Sequence, residues 1–192
     1  MNNYFDIESI ASSVTSLFIP DWSCNDLHHA MFDFSRFSVI ESIEIGNDCF
    51  GSVKTFEIKG LNRLKTIKIG NNSFTQTKNS SGKNESKSFY ILNCESLESI
   101  QIGKYSFSDF AGDFELKNLP QLQSIQIGDT ESDSYNFYSS FLEIDSISQL
   151  LISLCIRLSC SDYSLDRKII IPEFSIASIF QFRLIANIDN WK

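Results

Sequence analysis

Leu97-Glu-Ser-Ile-Gln-Ile-Gly103 recurs almost unchanged as Leu122-Gln-Ser-Ile-Gln-Ile-Gly128. Two looser copies keep the pattern, Ile40-Glu-Ser-Ile-Glu-Ile-Gly46 and Leu64-Lys-Thr-Ile-Lys-Ile-Gly70. Recurrence at a period of about 25 residues, with two longer intervals, predicts a repeat architecture. Three weaker copies keep the spacing and only part of the pattern; they are Val14-Thr-Ser-Leu-Phe-Ile19, Leu151-Ile-Ser-Leu-Cys-Ile156 and Ile176-Ala-Ser-Ile-Phe-Gln-Phe182.

The spacing within one copy predicts a short β-strand. Positions 1, 4 and 6 are apolar, whereas positions 3 and 5 are polar, so the fourth and sixth side chains share one face. The glycine that follows is expected to let the backbone turn away. An aromatic residue four or five positions later is expected to return to the interior, at Phe50, Phe74 and Phe107.

Each repeat unit also contains a second alternating run, which predicts a second strand. One unit cannot bury its apolar face alone, so neighbouring units are expected to stack, with strands paired in parallel and Phe residues in columns. The second runs are Phe56-Glu-Ile-Lys59, Phe89-Tyr-Ile-Leu92, Phe114-Glu-Leu-Lys117 and Phe141-Leu-Glu-Ile144.

The two longer intervals are explained by polar insertions, Thr75 to Ser88 and Asp129 to Asn136. Both lie between the first and second strands of a unit. Insertions at one edge are what a stacked array tolerates, so we predict two mobile loops there.

Composition favours one folded domain over residues 1–192. Hydrophobic residues make up 42% and charged residues 21%, and 17 Phe must be buried. Net charge is −8, with 16 Lys and Arg against 24 Asp and Glu. Because phosphate backbones are bound through Lys and Arg, this balance disfavours nucleic acid and an anionic membrane surface as partners.

The compartment is predicted to be cytoplasmic. The chain begins without the basic and apolar regions of a secretory signal, and no apolar stretch is long enough to insert into a membrane. An odd set of five irregularly spaced cysteines predicts reduced thiols rather than a disulfide framework. The cell surface or secretion is the alternative.

The repeat resembles a known family. Leu64-x-x-Ile67-x-Ile69-x-x-Asn72-x-Phe74 is similar to the core pattern of leucine-rich repeats, with Asn72 at the turn after the strand. Cys94-Glu-Ser-Leu97-Glu-Ser-Ile100 is similar to the rhythm of BspA-like leucine-rich repeats. Residues 10–146 carry this resemblance well, and residues 147–182 carry it poorly.

The resemblance implies a curved solenoid that binds a protein or a glycan and has no shared catalytic residue. Together with the repeat spacing, it predicts a β-rich solenoid of about seven turns, with parallel strands stacked in sheets and few or no helices. Regular repeats would span about 10–146, followed by degenerate repeats or a cap at 147–192. Asp48, Tyr105 and Thr130 replace Asn72 in other units, which argues against a continuous asparagine ladder.

The exposed face of the first-strand sheet is the candidate binding surface. Position 3 is a hydroxyl residue in every copy, which suits a crowded parallel sheet and also suits a partner-facing ladder. Positions 2 and 5 are charged or amide side chains in the central units. The predicted partner-binding residues are Glu41, Glu44, Lys65, Lys68, Glu98, Gln101, Gln123 and Gln126.

The C-terminal copies lose this polar face. Ile152, Cys155 and Phe180 occupy positions that are polar in the central units. Apolar residues on a sheet surface favour cover, either by a cap or by self-association with another chain. A decayed terminal repeat whose register has slipped explains the same pattern.

No constellation in the sequence points to catalysis. The adjacent His28 and His29 point in different directions on any regular element, so a polar turn is favoured over a metal site. We therefore predict a protein without enzymatic activity, metal or cofactor, which serves as an interaction or scaffold module. A decayed member of a repeat family with no binding role of its own is the alternative, and an enzyme is the less favoured one.

Overall fold

A computed structural model describes residues 9–26, 33–76, 84–129, 134–137, 140–147, 153–160 and 181–188. These ranges are rich in strands, all paired in parallel, and nearly free of helix, as the repeat pattern predicts. Phe34–Arg36 forms a single turn of 3-10 helix. Among the described residues, no helix has the length and apolar character needed to cross a membrane.

The first sheet contains the strands of the repeated segment, whose six residues before the glycine form the hexapeptide. Seven strands lie in the order β1-β2-β4-β6-β8-β10-β11, so each neighbour along the sheet belongs to the next copy of the repeat. Their bounds are β1 (Ser16–Ile19), β2 (Ser42–Ile45), β4 (Thr66–Ile69), β6 (Ser99–Ile102), β8 (Ser124–Ile127), β10 (Ser153–Cys160) and β11 (Gln181–Ile188).

The second sheet contains the second run of each unit. Its order is β3-β5-β7-β9, and from β2 to β9 successive strands alternate between the two sheets. The bounds are β3 (Thr55–Lys59), β5 (Ser88–Leu92), β7 (Asp113–Leu119) and β9 (Phe141–Ile147).

Equivalent positions of the hexapeptide are paired in register from β1 to β10. The position-3 residues of β1 and β2 pair as Ser16↔Ser42, and those of β8 and β10 pair as Ser124↔Ser153. Alternate side chains in β1, β2, β4 and β6 are buried, so positions 4 and 6 face the interior as predicted.

The expected register of the seventh strand is wrong. Ser153 pairs with Gln181 and not with Ser178, which places the copy three residues further along the chain. With Ser178 at position 3, the polar Gln181 would occupy the inward position 6. The observed register instead places Phe182 and Leu184 at positions 4 and 6, where every other copy is apolar.

In the second sheet, the expected alignment of β9 with β7 is also wrong. Phe114 pairs with Leu142, and Phe141 pairs with Asp113, so the run in β9 starts one residue later than expected. An offset of one residue turns every side chain to the opposite face. The observed alignment places Ile144, which is buried, beside Leu116 in the interior row.

Two columns of phenylalanine rings fill the side of the core next to the second sheet. The residues that return after each hexapeptide stack in parallel, with ring centroids 4.7 Å apart for Phe74 and Phe107 and 5.0 Å apart for Phe107 and Phe137. A second stack runs along the second sheet, with 4.9 Å between Phe56 and Phe89. The two columns meet edge to face, at 80° between Phe89 and Phe107. The predicted columns are thus confirmed.

The turn after the hexapeptide is closed by side-chain ladders that lie on either side of Asn72. One residue before it, the Asn71 amide nitrogen donates to the Asn47 side chain at 2.8 Å, and the Asn71 side chain accepts from the Lys104 amide. One residue after it, the Ser73 hydroxyl donates to the Gly46 carbonyl at 2.8 Å. Asn72 itself has a φ of 56°, and its structural equivalents are Asp48, Tyr105 and Tyr135 rather than Thr130.

Among the glycines that end the hexapeptide, Gly128 has a positive φ of 83°, which agrees with the expected freedom to turn, whereas Gly70 and Gly103 have a different purpose. The positive φ angles of the turn occur two residues after Gly70 and Gly103, at Asn72 and Tyr105. A Cβ added to Gly70 would lie 2.6 Å from the Gly46 carbonyl carbon. These positions are therefore glycine because the backbones of successive units approach one another closely.

The first insertion is buried at both of its described ends, so the prediction of a loop over its full length is wrong there. Thr75 and Lys87 are buried, and Ser88 begins β5. The Lys87 ammonium lies 2.9 Å from the Asp109 carboxylate and 5.3 Å from the Phe110 ring centroid. In the second insertion, Ser134 and Asn136 are buried as well. Residues 77–83 and 130–133 lie outside the described ranges.

Candidate interaction face of the first sheet

The predicted binding residues form two rows, one on the outer face of the first sheet and one at its margin. Glu44, Lys68 and Gln101 are exposed at position 5, and Gln126 is half-buried in the same row. Position 2 lies just before each strand, so its row forms the margin of the sheet. There Lys65 and Glu98 are exposed, whereas Glu41 and Gln123 are half-buried.

Ion pairs link β2 and β4 across this face. The Lys68 ammonium lies 2.7 Å from the Glu44 carboxylate, and the Lys65 ammonium lies 3.0 Å from Glu41. The hydrogen bond from Lys65 holds the pKa of the Glu41 carboxyl below its usual value. Because these side chains are accessible to water and screened by salt, the pairs contribute little to the stability of the fold. They fix the arrangement of charge more than the stability of the sheet.

The amide half of the face is formed by β6 and β8. Gln101 pairs in register with Gln126, and the Gln126 amide nitrogen lies 3.4 Å from the Gly128 carbonyl. These neutral side chains can both donate and accept hydrogen bonds. The face therefore changes along the sheet from paired charges to amides.

A hydroxyl row runs between the two rows of binding residues. The Ser42 hydroxyl donates to the Ser16 hydroxyl at 2.8 Å. This bond between neighbouring strands agrees with the structural explanation of the position-3 hydroxyls. With Gln181 at position 3 of β11, the row ends at Ser153.

Sequence reasoning left two exposed aromatic residues out of the site. Phe18 occupies position 5 of β1 and is 60% exposed, and Trp22 follows β1 and is 71% exposed. Phe18 could have been recognised, because an aromatic residue at a position that is polar in the central copies has no reason to be buried. A depression of about 300 Å³ extends from Phe18 across Glu44 and Lys68 to Gln101.

The C-terminal end is only partly described. Ile152 and Phe180 lie outside the described residues, and Cys155 is paired in register with Gln126 and Arg183. Position 5 of β11 is thus Arg183 rather than Phe180. The expected row of apolar residues at position 5 does not continue from β10 into β11.

Metal ligands and reactive thiols are scarce in the part of the chain that the structure describes. Within it, no group of three or more His, Cys, Asp or Glu could hold a metal ion. His28 and His29 lie outside it. Cys24, Cys49 and Cys94 are buried, and burial raises the pKa of the Cys49 thiol to about 11. A thiol with so high a pKa is a poor nucleophile at neutral pH.

Comparison of the chain with protein-family models, with curated proteins and with solved structures gives no match.

Proposed function

We propose that the chain is a leucine-rich-repeat solenoid of about seven turns, and that it acts as a non-catalytic interaction module. Its partner is a protein that docks on the outer face of the first sheet. The observation that carries this proposal is the in-register face itself, on which the position-3 hydroxyls form one row and the charged and amide side chains of position 5 form another.

The chemistry of the face suits a polypeptide partner. Phe18 offers a large exposed ring beside a depression, and aromatic residues are enriched among the residues that dominate binding energy. The rows around it are paired charges and amides, which form a polar rim. Contact with Phe18 would supply most of the affinity for the partner, and the polar rows would fix the partner's orientation.

The size of the face indicates how far a partner must reach. Five strands of four residues, from β1 to β8, cover roughly 300 Å² at a strand spacing of ~4.8 Å and a rise of ~3.3 Å per residue. A stable complex buries about 800 Å² on each partner. The partner must therefore extend over the position-2 margin, which includes Glu41, Lys65, Glu98 and Gln123.

A double substitution tests this surface. Lys68→Glu with Gln101→Lys changes the charge of the face without touching the core. After a partner is isolated from extract of the native cell with the wild-type chain, its affinity for the variant should fall by about tenfold or more, since rearranged charges oppose the complementary surface. Lys59→Glu, which lies on the exposed side of the second sheet, is the matched control. If both variants bind equally well, the site lies elsewhere.

The alternative of a decayed repeat is supported by one feature, the loss of the position-3 hydroxyl in β11. Hydrogen exchange over residues 147–192 separates the two functions. Protection comparable to that of β4 and β6 supports the interaction module, whereas rapid exchange throughout favours the decayed repeat.

A further inference from the structure

The first sheet has an edge at β1. Within the described ranges, β1 pairs with β2 on one side and with no strand on the other. The Ile19 carbonyl accepts from the Gly46 amide of the next unit at 2.8 Å. Because successive residues of a strand direct their N–H and C=O groups to opposite sides, Leu17 and Ile19 bond to β2, whereas those groups of Ser16 and Phe18 point away from it.

Pro20 prevents this edge from accepting another repeat unit. In the next four units, the glycine after the hexapeptide donates its amide N–H to the last hexapeptide carbonyl of the unit before, as Gly46 does to Ile19. The first unit has Pro20 at the place of this glycine. Proline has no N–H to donate, and its ring would occupy the space that the close approach of units requires. The β11 end of another copy therefore could not stack on β1 in the way that the units stack on one another.

The same edge is apolar and uncharged. Phe18 is 60% exposed, and no residue from Ala11 to Pro20 is charged, although the net charge of the chain is −8. Exposed edge strands are commonly protected from pairing by charged side chains, and β1 has none. Since copies of an acidic chain repel one another, two of them approach most easily where neither carries charge.

From these observations we propose that two copies of the chain pair through β1, antiparallel about a two-fold axis beside Leu17. In this register Ser16 of each copy faces Phe18 of the other, and each such pair exchanges two main-chain hydrogen bonds. Pro20 lies beyond the paired residues, so its missing N–H is not needed. A two-fold contact of this kind is closed, because it uses the free edge of both copies.

The outward side chains of β1 suit this register. Each Phe18 ring lies beside the small Ser16 side chain of the other copy, and the two rings are diagonal neighbours about 7–8 Å apart, within reach of one another. Leu17 and Ile19 are buried in their own core. The contact therefore consists of main chain and outward side chains only. Because so small a contact is typical of weak complexes, we expect a dimer that dissociates on dilution.

The pairing also enlarges the proposed binding face. It joins the two first sheets edge to edge with their outer faces on the same side, so the face grows from roughly 300 to roughly 600 Å². The two Phe18 rings then lie at its centre, where the residues that dominate binding energy are usually found. Only this consequence rests on the proposed function; the pairing itself rests on the geometry of β1.

Sedimentation velocity and amide exchange test the pairing together. Between ~10 μM and ~1 mM, the mass should rise from that of the 21.9 kDa chain towards twice that value. In exchange followed by NMR, the Leu17 and Ile19 amides should be protected at both concentrations, because they bond to β2. Those of Ser16 and Phe18 should become protected only in the concentrated sample.

Two variants weaken the edge in different ways. Ser16→Pro removes an outward N–H and no main-chain bond to β2, and proline is tolerated on an edge strand, so the melting temperature should change little. Phe18→Lys removes the ring and places two ammonium groups near the axis. Each should raise the dissociation constant of the dimer by about tenfold or more. Trp22→Lys, which removes a ring that is 71% exposed and adds the same charge outside β1, should leave it unchanged.

The proposal is overturned by a chain that stays monomeric up to ~1 mM, and equally by a dimer that is as tight in Ser16→Pro and Phe18→Lys as in the wild type. A monomeric chain whose captured protein partner is lost in Ser16→Pro also overturns it, since the edge would then accept a strand of a different protein.

The double variant Lys68→Glu with Gln101→Lys separates this proposal from the proposed function. It changes the outer face and leaves β1 intact, so the dimer should persist. A dimer that persists while a captured partner binds this variant as well as the wild type would contradict the proposed function and support the pairing.

Discussion

The two sheets enclose one core but differ in what each contributes to it. The first sheet contributes mainly isoleucine at its inward positions, such as Ile67 and Ile69 of the four-residue strand β4. The second sheet contributes phenylalanine, and its rings pack edge to face against Phe107 and Phe137, which follow the hexapeptides. Aromatic packing is therefore concentrated on one side of the core, and substitutions should be most costly there.

Their outer faces differ as well. On the first sheet, carboxylates and ammonium groups alternate between strands, as in the Glu44–Lys68 pair. On the second sheet, the row that begins with Glu57 continues as Tyr90, Glu115 and Glu143 along the register, and Lys117 bridges the last two at 3.4 and 3.0 Å. The first face is balanced in charge and the second is acidic, which makes the first the better surface for a partner of mixed charge.

Phe107→Ala should have the largest effect on stability. This ring contacts those of Phe74, Phe89 and Phe137 and is fully buried, so its loss leaves a cavity among aromatic rings. We expect the free energy of unfolding to fall by about 3–5 kcal/mol, measured by urea denaturation. On the isoleucine side, Ile100→Val should cost only about 1 kcal/mol. Because Ile100→Val removes only one methyl group, a loss for Phe107→Ala no larger than that for Ile100→Val would contradict the expected cavity among the rings.

Lys87→Met comes next, because it breaks a buried ion pair at the start of a strand of the second sheet. The variant leaves the Asp109 carboxylate buried without its counter-charge, and one of its oxygens, Oδ1, already has no hydrogen-bond partner. We expect a loss of about 3 kcal/mol in thermal or urea unfolding. Lys87→Met combined with Asp109→Leu should recover most of it; a double variant as unstable as the single one would contradict this explanation.

Cys49→Ser tests whether the buried Cys49 thiol makes the stability of the fold depend on pH. The folded-state pKa of about 11 exceeds the ordinary value of 9.0, so the protonated thiol stabilises the fold fully below pH 9.0 and this contribution is lost as pH rises through about 11. Serine keeps a donor for the Pro20 carbonyl, which the thiol contacts at 3.1 Å. The variant should lose less stability than the wild type between neutral pH and about pH 10. An identical loss in both would show that Cys49 does not contribute.

Lys68→Met should have the smallest effect. The distance of 2.7 Å between the Lys68 ammonium and the Glu44 carboxylate is typical of a strong ion pair. The two side chains are nevertheless 57% and 48% exposed. We expect a change below about 0.5 kcal/mol that vanishes in high salt. A loss as large as that of Lys87→Met would mean that the outer face of the first sheet stabilises the fold, and it would then be less free to serve a partner.

The repeat predicted the strands because the same apolar spacing occurs in every unit. It also predicted that Glu44, Lys68, Gln101 and Gln126 form one row across neighbouring strands of the first sheet, as the register shows. It failed at Ser178. This residue matches the hydroxyl of position 3, but the alignment on it would place the polar Gln181 at the inward position 6. It also failed at Lys87, since charge predicts exposure and only the partner Asp109, 22 residues later in the chain, permits burial.

The turn positions Trp22, Asp48, Asn72, Tyr105 and Tyr135 were not predicted as an equivalent set because they share a backbone conformation and not a residue type. The side chains of Trp22, Asp48 and Tyr105 are chemically different, yet the φ angles of these residues lie between 54° and 63°. A pattern of side chains cannot reveal such a position until the hydrogen bonds of the turn align the units.

The close approach of successive glycines bears on how such a chain can change its length. Because the Gly70 backbone lies against that of Gly46, and the Gly103 backbone against that of Gly70, each of these units fits on the unit before it only when its own residue at this place is glycine. Duplication or deletion of one whole unit preserves every contact of this kind, whereas a change of a few residues within the unit does not. The chain is thus constrained to grow and shrink in whole units, with smaller changes confined to the insertions before β5 and after β8.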